Sequence, residues 1–182
     1  CVVTWLPSAV HAEAEMFGRP LEAWASEINA GDSGRRAAAV KVVGLCGEAG
    51  IPILTAALSH DDAAVRAVAA QALGEHGKAA ASAASVLRPM LRDPEPGVRL
   101  AAAFAVCRVE GVNDKAMLIL VDALKADGRA TPTLAGDYLA RIGPPAKAAL
   151  PALREATKHK DYHVRGAALI AIDAIGTESN SP

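Results

Sequence analysis

The sequence predicts an all-α fold, a right-handed α-α superhelix of about five helix-turn-helix repeats, and three observations carry that expectation. First, a phrase recurs. Val-Arg-Ala-Val-Ala-Ala at residue 65 returns as Val-Arg-Leu-Ala-Ala-Ala at 98 and Val-Arg-Gly-Ala-Ala-Leu at 164, with weaker copies from Arg35 and Thr131. The steps are 30, 33, 33 and 33 residues, a period typical of solenoids. Second, alanine dominates the 182 residues, apolar residues reach 52% and aromatics only 3%, a mixture that favours helix and is too apolar for disorder. Third, the recurrent apolar positions have helical spacing. With the first residue of each phrase as position 0, positions 0, +4, +7, +8 and +11 fall on one helix face at about 100° per residue.

The elements follow in order. Residues 20–30 (Leu21, Trp24, Ala25, Ile28) read as an amphipathic opening helix with Pro20 in the favoured first-turn position, suited to capping a solenoid. The repeated second helices begin near 35, 65, 98, 131 and 164, and first helices lie between them at 51–59, 80–92, 113–126 and 145–158. Position +4 is alanine in all five units (Ala39, Ala69, Ala102, Ala135, Ala168), which predicts a neighbouring helix too close for a larger side chain. Gly47, Gly77, Gly143 and Gly176 stand where four of the helices should end. In the fourth unit, Thr131-Pro132 predicts an N-cap followed by proline at the first helical position.

A charged pattern accompanies the repeat. Acids at position −3 precede arginines at +1 in four units: Asp32 and Arg36, Asp62 and Arg66, Glu95 and Arg99, Asp161 and Arg165. A carboxylate four residues before an arginine can bond it and favours a helix N-terminus, so this ladder is expected to be structural. The fourth unit lacks both, having Gly128 and Pro132 instead.

The turn acids, the Val-Arg, the paired alanines, the Ala-Leu-Gly and the closing glycines resemble HEAT repeats over roughly residues 20–176, particularly the short bacterial type grouped with phycobilisome-lyase-like proteins. "GRPLEAWASEI" also resembles the N-terminal repeat of exported bacterial HEAT proteins. The resemblance implies a non-catalytic scaffold that binds a protein or peptide on its concave face. The alternatives it leaves are a phycobilin-lyase-like or metal-dependent HEAT enzyme and a fragment of a larger scaffold. HEAT-like deoxyhypusine hydroxylases hold iron through repeated His-Glu pairs. Here the five histidines precede Ala, Asp, Gly, Lys and Val.

No catalytic constellation emerges, and no cofactor is implied. His159-x-Asp161-x-His163 falls in an inter-helix turn with Asp161 already in the ladder, so no metal site is expected. His76 and Cys46 share an apolar column and read as packed residues. A formal net charge of −1 gives no basic surplus for nucleic acid. No apolar run approaches the ~18–20 residues of a membrane span.

The binding expectation rests on position +6: Lys41, Gln71, Phe104, Asp137 and Ile170. Polar residues in that column predict that it faces water, which would expose Phe104 and Ile170, with Leu100 and Cys107 one turn either side of Phe104. Arg108, Asp137 and Arg141 would form a polar rim. The helix from 164 is apolar on more than one side, which points to a cover of more chain, of a second copy (self-association through the C-terminal repeat) or of a partner.

The domain reading is an N-terminal segment 1–17, a repeat domain 18–176 and a polar tail 177–182. Three readings of the N-terminus stay open. Ala12-Glu13-Ala14 has the small-x-small form of a signal-peptidase site, Cys1 would suit the lipid anchor of a bacterial lipoprotein, and the third reading is an arbitrary start. The first two predict an exported, periplasmic or lipoprotein-anchored protein, the third a cytoplasmic one. Cys46 and Cys107, two repeats apart, are expected to stay unpaired.

Overall fold

Trp24 anchors the first element of the computed structural model, which describes residues 15–176. Its indole Nε1 donates to the Met16 carbonyl at 3.0 Å, and the Arg19 guanidinium lies 4.3 Å above its ring. These contacts hold a short antiparallel hairpin, β1 (Glu15–Met16) and β2 (Arg19–Pro20), against helix α1 (Leu21–Glu27). Phe17 and Gly18 turn it with φ of 55° and 70°, as a tight primed turn requires. The hairpin crosses the expected boundary between residues 17 and 18. Residues 1–14, with Cys1 and the small-x-small site, and the tail 177–182 lie outside the described residues.

The rest is a two-layer all-α solenoid. The repeated helices are α2 (Ser33–Leu45), α4 (Ala63–His76), α6 (Pro96–Val109), α8 (Ala130–Ile142) and α10 (Tyr162–Gly176). The alternating layer contains α1, α3 (Ile51–Ala57), α5 (Ala84–Leu87), α7 (Asp114–Ala123) and α9 (Leu150–Ala156). The expected helix at 80–92 is broken into 3-10 turns around α5. Pro89 has no N–H to give the preceding turn, so the α ladder stops there. Among the described residues, no helix is long and apolar enough to cross a membrane.

The five +4 alanines are all buried, as their column predicts. Glycine is needed where the chain leaves α4 and α8: Gly77 (φ 56°, ψ −132°) and Gly143 (φ 72°, ψ −146°) occupy backbone conformations closed to other residues. Thr131 is not an N-cap. Helix α8 starts one residue earlier, after Arg129, and no side chain caps it. Cys46 and Cys107 are both free thiols, and burial pushes both thiols up from their ordinary pKa.

The ladder exists, but it runs between units. Arg36 Nη2 and Nε donate to Asp62 Oδ2 at 2.7 and 3.2 Å, and Arg66 grips both oxygens of Asp93 at 2.9 and 3.0 Å. Each of these arginines therefore ties its own unit to the next one's turn, and the intra-unit pairs Asp32–Arg36 and Asp62–Arg66 do not form. The acid in the third unit is Asp93, not Glu95. Arg99 and Arg165 instead bond turn carbonyls, Asp93 and Pro94 for one and His159 and Lys160 for the other. The helix spacing explains the difference. Arg36 and Arg66 point along the solenoid axis to the next unit, while Asp32, Asp62 and Asp161 cap their own helices. Asp62 Oδ1 accepts from Ala64 N at 2.9 Å and Asp161 Oδ1 from His163 N at 2.8 Å. The Arg36 hydrogen bonds hold the Asp62 carboxyl well below the usual carboxylate range. Burial pushes Asp93 up, but the Arg66 guanidinium outweighs it and leaves that carboxyl lowered.

Candidate functional site

The repeated helices pack on one another, most closely α4 on α6 and α8 on α10, and the resemblance to HEAT repeats implies that they line the concave face.

The middle of that face is filled. Helix α6 is buried over every residue from Leu100 to Cys107, so the expected apolar patch of Leu100, Phe104 and Cys107 is not exposed. The cause lies in neighbouring units. Gly74 on α4 leaves the space that the Phe104 ring occupies, since a Cβ there would come within 2.6 Å of Phe104 Cε1. Tyr138 on α8 stacks on that ring at 4.5 Å and 12°, and the Arg141 guanidinium lies 4.6 Å from its centroid. Tyr138 Oη then donates to Gln71 Oε1 of α4 at 3.2 Å, and Arg141 pairs with Glu75 of α4 and, at 3.5 Å, with Asp137. Side chains of the second and fourth units thus meet over the third. Arg108, itself exposed, joins the same bridge through the Arg141 carbonyl at 3.2 Å.

The electrostatics suit a structural plug. Burial pushes the Tyr138 hydroxyl up to about 12. Burial also works against the Arg141 charge, but the Glu75 hydrogen bond prevails and raises its pKa. The bridge was missed because Tyr138 sits at +7, where the other units have Val42, Ala72, Ala105 and Ala171. One tyrosine in a small-residue column, beside Gly74 in a preceding unit, was the available signal that large side chains fill this point.

Beyond the plug the concave face opens between α8 and α10. A groove of about 330 Å³ is lined by Thr133, Asp137, Tyr162, His163, Gly166, Ala167 and Ile170, and it continues past Leu134 to Arg129. Its floor is low because Gly136 and Ala167 let the helices approach closely, a Cβ on Gly136 falling 3.0 Å from Ala167 Cβ. Its walls are apolar and exposed: Tyr162 is 65%, Ile170 66% and Leu134 38% accessible. Of the expected binding residues, the structure brings only Asp137 and Ile170 together in this open groove. Leu134, Tyr162 and His163 join them from positions that the repeat pattern did not single out. A second opening of about 330 Å³, on the other side of the plug, is lined by Lys41, Leu45, Val68, Gln71 and Glu75.

Among the described residues, no three His, Cys, Asp or Glu side chains are arranged to hold a metal ion. In the His159–His163 turn, His159 Nδ1 accepts from Asp161 N at 3.0 Å, and His60 does the same for Asp62 at 2.9 Å. His76 is half-buried, with Nε2 unpartnered among the described residues.

Residues 21–107 match the family model for HEAT repeats. That match shows HEAT repeats over those residues. No curated protein matches it at significance. Among solved structures it is similar to an engineered protein (22% identity, TM-score 0.56, 85% of this chain and 78% of that one). It is also similar to the complex of CpcE and CpcF of phycocyanin lyase from Nostoc sp. PCC7120 (19% identity, TM-score 0.58, 83% and 96%). At these identities the likeness carries the fold of the HEAT units alone.

Proposed function

We propose that this chain is a non-catalytic HEAT scaffold that binds a protein or peptide in the concave groove between α8 and α10. The observation that carries the reading is the open, apolar-walled groove around Asp137, next to a middle face closed by Phe104 and Tyr138. The Gly166–Ala167 floor has room for one bulky apolar side chain between Tyr162 and Ile170. Asp137 on the opposite wall suits a neighbouring basic group. A segment of this kind would contribute an apolar anchor and one charge-assisted hydrogen bond, the usual makeup of a small hot spot. Export of the protein remains part of this reading, resting on the small-x-small Ala12-Glu13-Ala14 in the sequence.

Selection of a random displayed-peptide library on the immobilised protein tests the reading. Enriched peptides should combine a large apolar residue with Lys or Arg. Their binding should be lost in Ile170→Asp and retained in Leu118→Asp, a change at an exposed residue of the outer layer. Peptides that bind Ile170→Asp as well as the unaltered protein would refute it.

A further inference from the structure

The way each HEAT unit docks on the next is written in a few contacts, and those contacts specify what fits the outward faces of α2 and α10. Going forward from a repeated helix, the arginine at +1 reaches a carboxylate in the next unit's turn, at −3 for Arg36 on Asp62 and at −5 for Arg66 on Asp93. Position +9 abuts +6 and +7 of the next helix, as Gly74 does to Phe104 and Ala105. Position +5 abuts +3, as Gly136 does to Ala167.

On α10 the forward positions are Arg165 (+1), Leu169 (+5) and Asp173 (+9). Arg165 spends Nη1 on the His159 and Lys160 carbonyls at 2.8 Å. Arg66 makes the equivalent pair of bonds to His60 and Asp61. The two atoms that Arg36 and Arg66 place on a carboxylate, Nε and Nη2, have no acceptor on Arg165 among the described residues. Leu169 is 58% accessible, and Asp173 is exposed.

On α2 the receiving positions are Asp32 (−3), Ala38 (+3) and Lys41 (+6). The Asp32 side chain is 72% accessible; Oδ1 caps Arg35 N and Oδ2 lies 3.8 Å from Arg35 Nε. Ala38 and Lys41 are exposed.

Applying the internal step once more, from the end of one molecule to the start of another, gives three pairs, and all three are complementary. Arg165 meets Asp32, Leu169 meets the small Ala38, and Asp173 meets Lys41. We propose that a second copy of this chain docks head to tail, its α2 face against the forward face of α10, by the same geometry that stacks the HEAT units within one chain. The two surfaces differ, so the contact is heterologous, and repeating the step along the solenoid axis continues the association into short filaments. The concave groove lies on another side of α10, with Ile170 and Gly166, and stays open.

Sedimentation velocity on the 182-residue chain from about 1 µM to about 1 mM tests this. The average mass should rise through dimer without a plateau. Leu169→Arg and Ala38→Arg, each a change at an exposed residue, should each be monomeric, with unchanged circular dichroism. Mixed, they should give a 1:1 dimer and nothing larger, because each retains the face that the other lacks. Lys41→Asp should weaken association, and adding Asp173→Lys should restore it. Monomers at every concentration, or a mixture that stays monomeric, would overturn the proposal. So would a closed dimer insensitive to Leu169→Arg.

Discussion

Replacing Phe104 by alanine separates the two roles that the inner face could give this residue. Were it an exposed contact, the isolated protein would lose under about 0.5 kcal/mol. The structure instead buries it completely, under Tyr138 and Arg141 and against Gly74. Removing a core phenylalanine costs about 3–5 kcal/mol. The stack with Tyr138 puts the site towards the upper part of that range, since such pairs contribute about 0.5–1.5 kcal/mol beyond area burial. For a chain of this size each kcal/mol lowers Tm by about 2–4 °C, so the expected drop is about 6–20 °C. Urea denaturation should be followed by both circular dichroism and tryptophan fluorescence, because repeat arrays can lose cooperativity and the two curves must coincide before a single free energy is quoted. A cost below about 1 kcal/mol would refute the plug and reopen the middle of the concave face as a binding surface.

Gly74→Ala drives a Cβ to within 2.6 Å of the Phe104 ring. It should therefore destabilise by about 1–3 kcal/mol of overpacking, less the ~1 kcal/mol that alanine gains over glycine in a helix. In the Phe104→Ala background the same change should become neutral or stabilising, and a double-mutant cycle in urea reads the coupling. Asp62 has a folded pKa below its unfolded value, so its pairing stabilises the protein above about pH 4 and is lost as pH falls towards the folded pKa. Asp62→Asn should accordingly flatten the acid limb of stability against pH below about 4, and an unchanged limb would contradict the inter-unit ladder. Tyr138 is held neutral by burial, which stabilises the fold below about pH 10 and is lost as pH rises further. In a Tyr162→Phe variant, tyrosinate absorbance should rise with a midpoint of about 12, and a midpoint near the free value would place the hydroxyl in water.

The period of the repeat, the alanine column and the glycine exits were legible because each comes from helix geometry acting locally and repeating. The ladder was legible in its residues but not in its partners. Asp62 and Arg66 are four apart in sequence, yet the arginine points along the stack to Asp93, a relation that no local spacing encodes. The concave face was misread at its centre for the same reason. Position +6 does face inward, and Lys41, Asp137 and Ile170 are exposed there. Phe104 is covered because Tyr138, one unit on, and Gly74, one unit back, close over it. That needs the curvature of the stack, which one helix's periodicity does not contain. Leu134 and Tyr162 escaped notice, and His163 was weighed only as a metal ligand, because their columns vary from unit to unit, and variation along a solenoid is where a particular binding surface is written.

Hydrogen exchange of the protein with and without a selected peptide tests the central claim most directly. Bound peptide should slow exchange in α8 and in the first turns of α10, around residues 129–137 and 162–170, and leave α6 unchanged. Protection centred on residues 98–108, with α8 and α10 unaffected, would contradict it.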